Sequence, residues 1–258
     1  MTNRRMKLTL ALASALLAGH SAAQASVSGS AEGAATAQNL PDGFEILERH
    51  VEAVGGEKLN KKFKAVRMSG VFEMAAMNLS GPIVMSAKAP SSNLIQIDFG
   101  AMGKVVQGTD GKSVWSAQPG QEPQLLEGDA AEIMKNQSGF YSSVEPRKTY
   151  TSAETVAIVD HDGTQCYKVN LITSWDQHQV ALYEVESGLL RKMSIRAAPG
   201  AEAFTNETEF LDYKEIKGIK HARKLIVSNM GMNQTIAFDS VELDPEFESG
   251  HFDPPGKL

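Results

Sequence analysis

The chain of 258 residues is 42% hydrophobic and sets 25 Lys and Arg against 31 Asp and Glu, a formal net charge of -6. That balance excludes the basic footprint a nucleic-acid partner requires. A single cysteine, Cys166, excludes an internal disulfide framework, so stability must come from an apolar core, for which the length suffices.

Arg4, Arg5 and Lys7 precede an apolar run from Leu8 to Gly19. This is much shorter than the ~20 residues a spanning helix needs. Ala23-Gln24-Ala25 then supplies the small-x-small tripeptide that signal peptidase requires, so residues 1–25 are read as a secretory signal peptide and Ser26 as the mature start. Loss of three cations and no anions takes the net charge from -6 to -9. His20 stands where a lipoprotein signal needs its lipid-bearing cysteine, so no lipid anchor is expected. Residues 26–43, rich in Ser, Gly and Ala, are read as a flexible leader.

Residues 44–258 are read as one domain. Asp42 is the expected N-cap of a helix with Leu47, Val51 and Val54 on one face, stopped by Gly55-Gly56. From Lys64 the period changes to 2: Val66, Met68, Phe72 and Met74 share one face, then Ile83 and Met85, then Ile95, Ile97 and Phe99. Ser86 and Arg67 fall on the opposite, polar face. Asp110-Gly111, Asp162-Gly163, Ser187-Gly188, Lys217-Gly218 and Gly231 separate runs rich in β-branched and aromatic residues, and so predict one large antiparallel sheet. Asp129 and Glu132, at capping-box spacing, predict a helix carrying Ile133 and Met134. The fold class is mainly β with a few helices (α+β).

No catalytic constellation, metal-ligand spacing or cofactor motif is found in this order of residues. His50, His161, His178, His221 and His251 are scattered, and "DHDG" at 160–163 reads as a turn. Cys166, in an apolar strand, reads as a buried hydrophobe. The chain is therefore expected not to be an enzyme and to need neither metal nor cofactor. Methionine is the exception: Met68, Met74, Met77, Met85 and Met102 fall close together. Their flexible thioethers suit either the filling of core gaps or a surface that repacks around ligands. Trp115 offers the same two readings, as cover for the core or as the mouth of a cavity.

"FEILERHVEAVGGEKL", "GTDGKSVWSAQPG", "YEVESGLLRKMSI" and "TEFLDYKEIKGIKHARKL" occur in this order along the chain. The series resembles the helix, hairpins and paired strands of bacterial outer-membrane lipoprotein-sorting-like proteins, the LolA/LolB/RseB-like superfamily. The resemblance implies a strongly curved antiparallel sheet, an incomplete β-barrel closed by helices over an apolar cavity. It also implies a monomeric periplasmic carrier whose partner is a lipoprotein or another amphiphile, or, alternatively, an RseB-like sensor of an envelope protein. Under it, Met68, Phe72, Met74, Ile83, Met85, Ile97 and Trp115 are expected to line the cavity, with Ile133 and Met134 on a lid. The interior arginine of the dedicated carriers has no counterpart here, because Arg67 lies on the polar face.

Overall fold

The structure, a computed structural model, describes residues 40–201, 203–229 and 231–254; the expected signal peptide and the leader up to residue 39 lie outside them. The elements in chain order are α1 (Gly43–Ala53), α2 (Glu57–Asn60), β1 (Ala65–Met74), β2 (Leu79–Lys88), β3 (Ser92–Asp98), β4 (Lys104–Thr109), β5 (Val114–Ala117) and β6 (Gln124–Leu126). They continue with α3 (Gly128–Gln137), α4 (Pro146–Thr149), β7 (Tyr150–His161), β8 (Thr164–Thr173), β9 (His178–Glu184), β10 (Leu190–Arg196), β11 (Phe204–Ile216), β12 (Ile219–Asn229) and β13 (Met232–Leu243).

Every strand belongs to one antiparallel sheet of 13, in the order β6-β5-β4-β3-β2-β1-β13-β12-β11-β10-β9-β8-β7. Sequential hairpins build each half, and the β1–β13 pair joins them. Because β6 and β7 remain edges, the curved sheet is an open half-barrel rather than a closed one. All five expected turns connect strands or lie at their ends.

α1 forms as its spacing predicts. Asp42 Oδ1 accepts from Phe44 N at 2.8 Å, and Ile46, Leu47 and Val51 are buried along one stripe. Ile46 and Leu47 press on Val169, Leu171, Ala181 and Tyr183, which places the helix on the concave face of β8 and β9. Gly55 ends it with φ 112°; a side chain there would stand 2.5 Å from the Gly218 carbonyl, so only glycine permits this approach. Gly70 meets a similar limit at the β1–β13 bulge, where a Cβ would lie 1.9 Å from the Ala237 carbonyl oxygen.

The capping box expected at Asp129 and Glu132 does not form. α3 begins two residues earlier, after Glu127, with no side-chain cap, and Glu132 pairs instead with Lys135 at 2.9 Å. α3 is held by its underside, where Ala131 and Met134 pack with Val114, and Gln107 Nε2 lies 2.9 Å from the Met134 sulfur.

The convex face is not uniformly polar. The last described residues return across it: Trp115 Nε1 donates to the Phe252 carbonyl at 3.2 Å, and Leu94, Trp115 and Phe252 form one buried cluster. Arg67 lies on this face as parity predicts, its guanidinium 4.9 Å over the Phe247 ring and its Nη1 3.0 Å from Glu242. Ser86, expected at a polar surface, is buried there beside its cross-strand partner Leu94.

Candidate functional site

The concave face divides along the length of its strands. At one end Phe72, Met74, Ile83 and Ile97 are fully buried and close on Ile236, Phe99 and Val105 as an ordinary core. Each such side chain contributes about 1.5–3 kcal/mol by burial. At the other end the same face opens. A cavity of about 510 Å³ lies between Met68, Met85 and Ile95 on one half of the sheet and Phe210, Tyr213, Leu225 and Phe238 on the other. α1 contributes His50 and, just past its end, Val54, α2 contributes Asn60, and the segment from Gln137 to Val144 forms its roof.

Four expected cavity residues are thereby corrected. Phe72, Met74, Ile83 and Ile97 do not line the cavity, because neighbouring strands already fill the space in front of them. Trp115 is a fifth correction. Its pairing with Gly108 puts it on the face of Leu94, opposite Ile95, where the C-terminal residues cover it. Met68 and Met85 do stand in the cavity wall, half-buried and directly paired across β1 and β2. Met77 and Met102 are exposed in short turns, away from this wall.

The roof is tied down at few points. Phe140 N donates to the Pro90 carbonyl at 2.9 Å, Tyr141 Oη donates to the Phe63 carbonyl at 3.0 Å, and Gln137 Nε2 donates to Gln177 Oε1 at 3.2 Å. Glu145 pairs with Lys148 and Lys61; these cations hold its carboxyl below the usual carboxylate range and link the roof to α2. Of the two residues expected on a lid, Met134 is buried against β5, whereas Ile133 faces Trp175 and His178 in a separate surface pocket of about 210 Å³.

A second chamber of about 380 Å³ adjoins the first, and His50, Gln137, Ser143, Leu190 and Phe210 belong to both walls. His50 is 9% exposed, its ring centroid 5.3 Å from that of Tyr183. Its Nδ1 lies 3.1 Å from the Gly188 carbonyl; a carbonyl can only accept, so Nδ1 carries the proton of the neutral ring. Burial lowers the pKa of this histidine to about 4. Burial also lowers that of His221, another residue of the first chamber's wall.

Sequence reasoning missed Phe210, Tyr213, Leu225 and the roof. Phe210 and Tyr213 are three apart, so strict alternation would put them on opposite faces. Asp212, at φ 52°, intervenes and breaks the alternation. The "DHDG" turn holds one surprise, since the fold brings Glu209 of β11 within 3.5 Å of His161 Nε2. With Asp162 these ligand atoms lie within 4.8 Å of one another, although Asp162 is exposed.

An open antiparallel half-barrel with helices laid across its concave face over a cavity is the fold of the LolA type. This chain is similar to a LolA superfamily protein from Nitrosomonas europaea, with TM-score 0.54 and 12% identity over 83% of this chain and 98% of that one. It is similar also to a putative outer membrane lipoprotein-sorting protein domain from Vibrio parahaemolyticus, with TM-score 0.57 and 12% identity over 82% and 96%. A DUF1329 family protein from Desulfovibrio piger gives TM-score 0.60 and 12% identity over 83% and 98%. No protein-family model matches the chain, and no curated protein matches it.

Proposed function

We propose that this chain is an exported, non-enzymatic carrier or binder of a lipid-like amphiphile, lipoprotein acyl chains or a related ligand, whose hydrocarbon lies in the first chamber. The observation that carries this reading is the cavity itself. Its volume of about 510 Å³ is that of a ligand site rather than a packing defect, and its wall is mostly aliphatic and aromatic. An acyl chain gains ~0.8 kcal/mol per methylene removed from water, so a dry wall suffices to hold it without chemistry. The paired thioethers of Met68 and Met85 can shift to follow chains of different shape. The segment from Gln137 to Val144 acts as the lid, since few hydrogen bonds must open to admit a chain. The likeness to a putative lipoprotein-sorting domain supports this reading.

Native mass spectrometry of protein extracted without detergent tests it. Co-purifying lipid or lipopeptide is the expected result, and apo protein that binds no acyl probe at micromolar concentration refutes it. Crosslinking in cells that captures one membrane regulator and no lipid would replace the carrier by the sensor reading. Among the described residues no helix is long and apolar enough to cross a membrane. Export is tested directly: the mature N-terminus should be Ser26, and His20→Cys should create a lipid attachment site and move the protein to the membrane fraction.

A further inference from the structure

The first chamber lies at the end of the half-barrel where β1 and β12 begin, because Val66, Ala87, Ile219 and Leu243, all at or next to strand ends, belong to its wall. Two lysine-bearing segments meet there. α2 and its link to β1 carry Lys58, Lys62 and Lys64, and the end of the β11–β12 hairpin carries Lys217 and Lys220. The hairpin is seated against the helices: Lys220 N donates to the Val54 carbonyl at 3.2 Å, and a Cβ on Gly218 would lie 2.9 Å from Leu59 Cδ2. Two exposed ammonium groups touch the chamber wall itself. Lys64 Nζ is 3.1 Å from Tyr141 Oη and Lys217 Nζ is 5.7 Å from the centroid of the Phe63 ring, and both Tyr141 and Phe63 are half-buried wall residues.

These lysines are not neutralised by the protein. The nearby carboxylates turn to other partners: Glu57 and Glu145 pair with Lys61, and Asp244 Oδ1 accepts from the backbone N–H groups of Lys64 and Ala65. Glu215, opposite Lys220 in the β11–β12 register, offsets at most that lysine. Among the described residues none of Lys58, Lys62, Lys64, Lys217 and Lys220 forms an ion pair. A chain of net charge -6 thus gathers uncompensated cations at one end of its cavity. Lys220 is the only formally charged residue of the chamber wall among the described residues. A charged head drawn deep inside would lose its hydration, whereas one held at this end keeps water on one side and meets ammonium groups on the other.

We propose that these lysines form a collar for the anionic head, a phosphate or a carboxylate, of the amphiphile whose hydrocarbon fills the first chamber, an inference that rests on the carrier reading. The collar selects anionic amphiphiles over zwitterionic ones with the same acyl chain. The overall negative charge of the protein would by itself repel an anion, so such a preference can arise only from the local excess of cations.

The test uses the full chain and displacement of a neutral apolar fluorophore by palmitoyl-lysophosphatidylglycerol and palmitoyl-lysophosphatidylcholine, which share one acyl chain and one phosphate but differ in net charge. Two exposed charge pairs of about threefold each give the anionic lysolipid an expected preference of about tenfold at low ionic strength. That preference should vanish in 1 M salt, where the screening length is about 3 Å. Lys64→Gln with Lys217→Gln should abolish most of it and leave lysophosphatidylcholine affinity unchanged, the measure of an intact chamber. Lys112→Gln with Lys168→Gln, which removes the same charge away from the chamber wall, should retain it. Equal binding of the two lysolipids to the unaltered chain overturns the proposal, and so does a preference that survives the collar substitutions or falls as far in the remote pair. Cosedimentation with phosphatidylglycerol vesicles, lost in the collar variant while the two lysolipids bind equally, would assign the lysines to a membrane surface instead and likewise overturn it. If lysophosphatidylcholine binding also falls in the collar variant, the order of the two lysolipids and its salt dependence on the unaltered chain decide alone. Failure of both to displace the fluorophore refutes the carrier reading with it; displacement without preference refutes only the collar.

Discussion

His50 makes the buried face of α1 sensitive to acid. In the folded chain burial lowers its pKa from 6.5 to about 4, because a charged ring between the two chambers would lose its hydration. Above pH 6.5 the ring is neutral folded or unfolded and adds no pH dependence. Between 6.5 and about 4 the unfolded chain binds a proton that the folded chain refuses, so stability falls as pH falls. Below about 4 both states are protonated and this contribution levels off. Each tenfold in proton affinity is worth about 1.4 kcal/mol, so the loss approaches about 3 kcal/mol. His50→Gln removes the titration and keeps an N–H for the Gly188 carbonyl. Urea unfolding of both proteins from pH 7.5 to 4 isolates the contribution, since every other titrating group is common to the two. The stability of the original chain relative to the variant should decline by about 3 kcal/mol, with nearly all of the decline below pH 6.5. Parallel curves would show that the ring is hydrated in the folded state and that the chamber around it is wet.

Ile83 and Met85 share a strand and a face, but Ile83→Ala should cost about 2–5 kcal/mol and Met85→Ala about 1 kcal/mol, because the first opens a closed core and the second enlarges an existing cavity. Equal losses in urea unfolding would mean that Met85 is packed like Ile83. Ser86→Glu should destabilise by about 1–3 kcal/mol, since the longer side chain overpacks a buried site beside Leu94 even though Arg67, its other cross-strand neighbour, offers a counter-charge; a neutral effect would show the convex face open at this point. Phe252→Ala, in a Trp175→Phe background, should red-shift the emission of Trp115 and cost about 3 kcal/mol as the C-terminal cover loosens. An unshifted spectrum would place Trp115 under some other cover.

What was legible in the sequence is what local geometry dictates. Asp42, the spacing of Leu47 and Val51, and Gly55-Gly56 specify α1 without help from the rest of the chain. Alternation and turn dipeptides likewise specify strands, because each hairpin in this sheet joins neighbours in sequence. Parity also assigned Met68, Phe72, Met74, Ile83, Met85 and Ile97 to one face correctly. Parity assigns a side chain to a face but says nothing of its position along that face, and position decides function here. Ile83 and Met85 differ by one step of the same strand, yet the first meets Phe72, Ile97 and Ile236, and the second meets open space beneath a roof drawn from residues 137–144.

Trp115 shows the same limit from the other side. Val114 and Trp115 are consecutive, so they point to opposite faces, and both are buried. A strand of four residues with two apolar faces contains no local mark of which faces the cavity. The choice is made more than a hundred residues later, when Phe252 returns to accept the indole N–H. Cavity walls and covers in a half-barrel are long-range products of closure: the bulge at Gly70, the left-handed residue at Asp212 and the return of the C-terminal residues each redirect side chains that local period alone would misplace. The fold therefore follows from short-range pattern, whereas the site depends on where the curved sheet fails to fill itself.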